Sequence, residues 1–173
     1  MMNPKKWLMA VVAILLIFAL KSPTSAIDSK SNRATLRGLE GVAVLVEQFS
    51  PEVEKEGLVK NRLQTELELK LRMAGIKVLT KEECLKTPGE PYLYVNINVN
   101  IAKTESDIYP YSIDILLIQK VSLVRDPNQA TYAVTWSTGG VGSIGKPILS
   151  QLQNSVEEIL DVFVKAFLSE NPK

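Results

Sequence analysis

The sequence predicts an α/β (α+β) fold, a two-layer sandwich with two helices on one face of a mixed sheet of about five strands. Apolar residues recur every three or four positions in Val59–Ala74 and again after Pro147, which is typical of helices with one buried face. Between them, Tyr92–Ile101 alternates apolar with polar residues, which is typical of a strand with one face in the core. These patterns give the order β-α-β-β-β-α within a single domain, residues 38–173.

Residues 1–26 have the features of a secretory signal peptide. Lys5 and Lys6 precede the apolar run Trp7–Leu20, and Thr24-Ser25-Ala26 offers small residues for cleavage. The run is shorter than the roughly 18–20 residues that a helix needs to cross a bilayer. We therefore expect export to the periplasm or the medium and cleavage after Ala26, which leaves a soluble domain. The alternative is that residues 7–20 stay in place and tether the domain to the inner membrane.

The composition excludes several classes of function. The sequence has no histidine, which excludes Ser-His and Cys-His nucleophile pairs and most catalytic zinc sites. Cys84 is the only cysteine, so an internal disulfide is impossible and we expect a half-buried thiol. After Ala26 the chain carries 17 basic and 19 acidic residues, because residues 1–26 hold three lysines and no acid. This net negative charge indicates no nucleic-acid partner. No residue pattern indicates a cofactor or a metal.

The first half of the chain after Ala26 is predicted as linker, strand, helix and strand. Ile27–Arg37 is polar and without periodicity, so we expect a flexible linker. Gly41–Phe49 contains a short apolar run that is typical of a buried strand. Ser50-Pro51 is typical of a helix entrance, and the amphipathic helix follows it. Ile76–Leu79 is predicted as a second strand, parallel to the first because a helical crossover joins the two.

The second half is predicted as three antiparallel strands and a helix. After the alternating strand, Tyr111–Val124 is a longer β-rich run, and Asp126–Gln129 with its proline is typical of a turn. Thr131–Ser137 is predicted as the returning strand, and the glycine-rich stretch Gly139–Gly145 as the connection to the last helix, from Pro147 to about Leu168. The apolar stripe of that helix comprises Leu149, Leu152, Val156, Ile159, Leu160, Phe163, Val164 and Phe167.

The polar side of the alternating strand is a candidate binding surface. It offers phenols and amides that suit a glycan, a peptide or a partner strand. The residues concerned are Tyr92, Tyr94, Asn96, Asn98 and Asn100. The alternative interpretation is a strand face that simply meets water.

The glycine-rich stretch is a candidate anion or ligand loop. Gly140 to Lys146 nearly matches the phosphate-binding pattern G-x-x-x-x-G-K-[ST], in which backbone N–H groups and a lysine hold phosphate. Pro147 stands where the magnesium-binding hydroxyl is needed, so nucleotide hydrolysis is not predicted. The candidate residues are Gly140, Gly142, Ser143, Gly145 and Lys146. The alternative for this stretch is a connection whose glycines have only a structural role. A further functional alternative is a small-ligand carrier that binds its ligand beneath this loop.

Carboxylates supply the one enzymatic alternative that remains. Glu105, Asp107 and Asp114 flank the Tyr109-Pro110-Tyr111 segment, and two carboxylates can hydrolyse a glycosidic bond. No spacing in this region forces the three side chains to converge. We therefore expect no enzyme, and we keep a hydrolase of envelope glycan or peptide as the alternative.

The chain resembles a family of small exported bacterial proteins to which no activity is assigned, and the motifs that carry the resemblance lie in its last third. The resemblance spans roughly residues 38–173, and its most specific parts are Trp136-Ser-Thr-Gly-Gly-Val-Gly-Ser-Ile-Gly145 and Asn171-Pro172-Lys173. Asp161-Val-Phe163 and Phe167-Leu168 lie between them. The resemblance implies no site residue. In element order alone, the chain is also similar to envelope accessory domains, namely the amino-terminal domain of the Tol-system propeller protein and the lipoprotein activators of cell-wall synthases.

Taken together, these patterns predict an exported, non-enzymatic domain of the cell envelope. Its expected partner is another envelope protein or a second copy of the chain, and contact with a membrane is expected only through an uncleaved leader.

Overall fold

The computed structural model describes residues 27–101 and 108–172, so the predicted leader and its cleavage site lie outside the described residues. The described chain has an α+β fold built on a four-stranded mixed sheet. The strands, in sheet order, are β1 (Ala43–Val46), β2 (Tyr92–Val99), β3 (Ile108–Leu123) and β4 (Asp126–Gly145). β1 and β2 are parallel, and the other two pairs are antiparallel. The helices are α1 (Lys30–Arg33), α2 (Pro51–Lys55), α3 (Lys60–Met73), α4 (Lys81–Lys86) and α5 (Leu152–Glu170), with 3-10 turns at Ala34–Leu36 and Lys146–Gln151.

The predicted helix of Val59–Ala74 is confirmed as α3. Leu63, Leu67 and Leu71 are buried against the sheet, as their spacing of four residues predicts. Ser50 caps the short helix α2, which Gly57 separates from α3 by adopting a φ of +96°. The helix entrance and the main helix are therefore two elements rather than one.

The last helix covers the same face of the sheet as α3. Its predicted apolar stripe is confirmed, since Leu152, Val156, Leu160, Phe163 and Phe167 are buried. The predicted start at Pro147 is wrong, because the Lys146–Gln151 turn precedes the α-helix, which begins at Leu152. Lys70 of α3 joins the two helices by an ion pair with Asp161 at 2.9 Å.

The second predicted strand, Ile76–Leu79, is reduced to one isolated parallel bridge between Val42 and Val78. Helix α4 starts immediately afterwards, because Thr80 and Glu83 form a reciprocal capping box. The chain therefore leaves the sheet after one bridge, and the sheet has four strands instead of about five.

The turn between β3 and β4 does not lie at Pro127, where the sequence predicts it. The two strands are joined at Val124 and Arg125, and Val124 is 99% exposed at the tip. The predicted turn, Asp126–Gln129, lies inside β4, where the pairing shifts between Ser122 and Leu123. A proline fits here because β4 is an edge strand and the local residues leave the ladder.

The predicted linker, Ile27–Arg37, is an ordered part of the fold. Ile27 forms an antiparallel bridge with Ser137 of β4, and α1 follows it. The carboxylate of Asp28 accepts hydrogen bonds from Arg33 Nε at 2.6 Å and from Trp136 Nε1 at 2.7 Å. These two donors hold the pKa of Asp28 below its usual value, although burial raises it. The prediction is wrong because the partners of this polar segment lie more than 100 residues away in the sequence.

Asn171, which follows α5, also holds this segment through its side-chain amide. Leu36 is fully buried in the core, and its carbonyl accepts a hydrogen bond from Asn171 Nδ2 at 2.9 Å. Asn171 Oδ1 accepts a second one from Gly38 N at 2.7 Å. The domain therefore begins structurally at Ile27 rather than at Gly38.

Within residues 27–101 and 108–172, no helix combines the length and the apolar character that a membrane span requires.

Candidate functional site

The glycine-rich stretch that the sequence presents as a loop is the last part of strand β4. Gly140, Gly142 and Gly145 pair with Ile113, Tyr111 and Ile108 of β3. An extended strand directs successive N–H groups to opposite sides, so they do not converge on one phosphate. The predicted loop geometry is therefore wrong. The backbone of Lys146 begins the 3-10 turn, and its side chain lies outside the described part of the chain.

Close contacts explain why glycines occur in this strand. A Cβ atom at Gly139 would lie 2.5 Å from the carbonyl oxygen of Ile113, and one at Gly142 would lie 2.7 Å from the ring of Tyr111. Such distances are well inside van der Waals contact. Gly139 and Gly142 are needed because neighbouring groups come close to their backbone, not because a turn needs them.

Two adjacent glycines provide a test of this explanation. We expect Gly139→Ala to lower the free energy of unfolding by about 1–3 kcal/mol, because the clash is with backbone. Gly140→Ala is the matched control, since its Cβ would meet only the flexible tip of Ile159, at 3.2 Å. We expect that variant to lie within about 0.5 kcal/mol of the wild type. Urea unfolding measures both values, and equal losses would contradict the explanation.

The outer edge of β4 carries backbone groups that point away from the sheet. Ser137 N donates to the carbonyl of Ile27 on this outer side, at 3.1 Å. Residues at alternate positions face the same side of a strand, and no register shift interrupts β4 after Trp136. The N–H and C=O groups of Val141 and Ser143 therefore point outward.

Within the described part of the chain, these outward groups have no hydrogen-bond partner. None of the residues at 27–101 or 108–172 forms a hydrogen bond with the outward backbone groups of Val141 or Ser143. The side chain of Val141 is 75% exposed, and Ser143 is exposed as well. Gly139–Gly145 contains no charge and no proline, the features with which proteins commonly block strand addition at an edge.

The predicted binding strand is confirmed in its alternation. Tyr92, Tyr94 and Asn96 are half-buried on the sheet face away from α3 and α5, and Asn98 is exposed. A hydrogen bond with the carboxylate of Glu47 raises the pKa of Tyr94 to about 12, because it favours the neutral phenol.

The structure brings together parts of the two predicted sites. A shallow depression of about 610 Å³ is lined by Asn98 and Asn100 from the strand and by Gly142 and Ser143 from the glycine stretch. Val141 also lines it, so the depression adjoins the open edge of β4. Tyr92 and Tyr94 lie at the other end of the face, because antiparallel pairing with β3 carries them away from Gly142.

A second cavity, of about 660 Å³, lies between β1, α3 and α4 and was not predicted. Its polar group of most interest is Glu90, whose φ of +43° is unusual for a residue other than glycine. The carboxylate of Glu90 accepts hydrogen bonds from Lys120 Nζ, at 2.7 Å, and from the hydroxyl of Tyr132. Lys120 and then Tyr132 lower the pKa of Glu90. The Pro88-Gly89-Glu90-Pro91 break and the capping-box spacing of Thr80 and Glu83 were the local sequence signals for elements of this site.

Three of the four charged residues that line this second cavity already have partners. Glu90 is held by Lys120 and Tyr132, and Arg72 pairs with Glu68 at 3.0 Å. A polar ligand would have to displace these contacts, whereas the outward groups of Val141 and Ser143 form no hydrogen bond within residues 27–101 and 108–172. The edge of β4 is therefore the stronger candidate.

The other reactive groups form no catalytic arrangement in the described residues. Cys84 is buried, its thiol donates to the carbonyl of Pro91 at 3.4 Å, and burial raises its pKa. Asp114 lies half-buried on β3, while Glu105 and Asp107 lie outside the described residues. No group of three potential metal ligands occurs in the part of the chain that the structure describes.

These observations define an α+β domain with an uncharged sheet edge, unpaired at Val141 and Ser143 among the described residues, beside a shallow polar depression. Neither a protein-family model, nor a curated protein, nor a solved structure matches the chain. The resemblance to small exported proteins therefore stays an expectation from the sequence.

Proposed function

We propose that this chain is an exported, non-enzymatic domain of the cell envelope that binds proteins by accepting an extended segment along the outer edge of β4. The observation that carries the proposal is the outward row of backbone groups at Val141 and Ser143, which no described residue occupies. An extended polypeptide is the ligand that matches this row, because its own N–H and C=O groups alternate with the same spacing.

The bridge at Ile27 supports this mode of binding. Ile27 already pairs with Ser137 on the same outer side, so an added segment would continue a ladder that the chain itself begins. The depression next to Val141 would receive side chains of the bound segment. It offers the exposed amide of Asn98 and the hydroxyl of Ser143, which suit polar rather than charged side chains.

Export is the second part of the proposal, and it is supported by the pattern of residues 1–26. Two lysines, a short apolar run and small residues before Ile27 are typical of a cleaved leader. The proposal places the domain in the periplasm or outside the cell. The intact mass of the protein from the envelope fraction tests this, because cleavage after Ala26 leaves a chain that starts at Ile27.

Two variants of one residue test strand addition. Val141→Pro removes an outward N–H, which an edge strand tolerates, and so it should block an added strand. Val141→Thr is the matched control, because it keeps both the N–H and the branched shape. A photoreactive side chain at position 143 should cross-link an envelope protein both in the chain with the native Val141 and in the chain that carries Val141→Thr. We expect the yield to fall about tenfold in Val141→Pro. An equal yield in both variants, or no cross-link in any of them, would refute the proposed site.

A further inference from the structure

The accessible part of the β4 edge is short and bounded on both sides. At one end Ile27 pairs with Ser137 and accepts a hydrogen bond from its outward N–H, and at the other the strand ends at Gly145, just before the 3-10 turn that begins at Lys146. Only Gly139–Gly145 remains between these limits, and Gly139 is itself buried. A long added strand would meet Ile27. The bound segment must therefore be short and must turn away at its end.

The same stretch of a second copy satisfies these limits. In an antiparallel pair centred on Gly142, Val141 of each copy lies opposite Ser143 of the other. Because β4 ends at Gly145, the strand of each copy turns away before it reaches Ile27 of the other. The outward groups of Val141 and Ser143 then form four hydrogen bonds across the twofold axis.

The side chains of this stretch are compatible with self-pairing. Gly139–Gly145 has no charged residue, so two copies bring no like charges together within the paired strands. The exposed side chain of Val141 becomes a diagonal neighbour of its own copy across the axis. Pairing thus removes an apolar side chain from water on both subunits.

From this geometry we infer that the segment bound at the β4 edge is the β4 edge of a second copy of this chain, paired antiparallel about Gly142. The result is a twofold dimer with one continuous eight-stranded sheet. This inference rests on the proposed function, because it names the occupant of the edge assigned there.

Oligomeric state is the first test. Sedimentation equilibrium of the protein isolated from expressing cells, from about 1 μM to about 1 mM, should show a monomer–dimer equilibrium. We expect Val141→Pro to weaken the dimer about tenfold or more, because each copy loses a donor at the axis, and Val141→Thr to change it less than about threefold. A dimer that is insensitive to Val141→Pro would overturn the inference.

Cross-linking tests the register and does not depend on the folding of Val141→Pro. Val141→Cys and Ser143→Cys are prepared separately, and opposed positions in such a pair lie about 5.5 Å apart between Cα atoms, which suits a disulfide. On mild oxidation, we expect the mixture of the two variants to form more intermolecular disulfide than either variant alone. The wild type, which has only the buried Cys84, is the control. Equal yields in the mixture and in the single variants would overturn the proposed register.

The experiments distinguish a failure of the dimer from a failure of strand addition at the β4 edge. A protein that stays monomeric up to about 1 mM, but whose position 143 still cross-links an envelope protein in a Val141→Pro-sensitive manner, overturns the dimer and leaves strand addition standing. A protein that shows neither dimer nor cross-link overturns both.

Discussion

Phe163→Ala is expected to lower the free energy of unfolding by about 3–5 kcal/mol. The Phe163 ring is fully buried on α5. It packs edge-on against the indole of Trp136, with the ring centroids 5.3 Å apart, and against the ring of Phe167, with the centroids 5.9 Å apart. Its loss leaves a cavity between the last helix and the sheet, and neighbouring rings cannot close it without leaving their own contacts. Chemical unfolding followed by tryptophan fluorescence measures the change, because Trp136 lies at the contact.

A second substitution on the same helix controls for helix propensity. Leu168 is 37% exposed, so Leu168→Ala should cost less than about 1 kcal/mol. A loss at Leu168 equal to that at Phe163 would contradict the assignment of the buried face of α5.

A chain that begins at Gly38 is expected to lose at least about 3 kcal/mol of stability relative to one that begins at Ile27. The shortened chain lacks the buried side chain of Leu36, and removing a buried leucine costs about 2–5 kcal/mol. It also leaves the indole N–H of Trp136 without its acceptor, which costs about 1–3 kcal/mol more. Thermal and urea unfolding of the two chains measure the difference.

Asp28→Asn separates the hydrogen bond from the rest of the segment. The amide oxygen still accepts from Trp136, while the ion pair with Arg33 is lost, so we expect a cost of about 1 kcal/mol. If the chain from Gly38 proved as stable as the longer chain, residues 27–37 would be the linker that their composition predicts.

The parts of the fold that the sequence predicts correctly are those with a local pattern. The spacing of Leu63, Leu67 and Leu71 identifies the buried face of α3, and the alternation of Tyr92–Val99 identifies both faces of β2. Helix α4 also had a local signal, since Thr80 and Glu83 stand at capping-box spacing, and that signal was missed.

The errors concern residues whose partners are distant in the chain. Asp28 looks like part of a linker until Trp136 is placed beside it, and Gly139 looks like part of a loop until the carbonyl of Ile113 is placed beside it. The polar face of β2 could be predicted as a candidate surface. The open edge of β4 could not, because strand order and the direction of backbone groups depend on pairings that no local pattern specifies.

The exposed end of the β3–β4 hairpin offers a practical position for a reporter group. Val124 stands in the turn before β4, 17 residues before Val141 in the sequence, which corresponds to a path on the order of 50 Å. A fluorophore or an epitope inserted there would disturb neither the buried face of α5 nor the edge at Val141. The location of this domain in the cell can therefore be followed by imaging with the outer edge of β4 left intact.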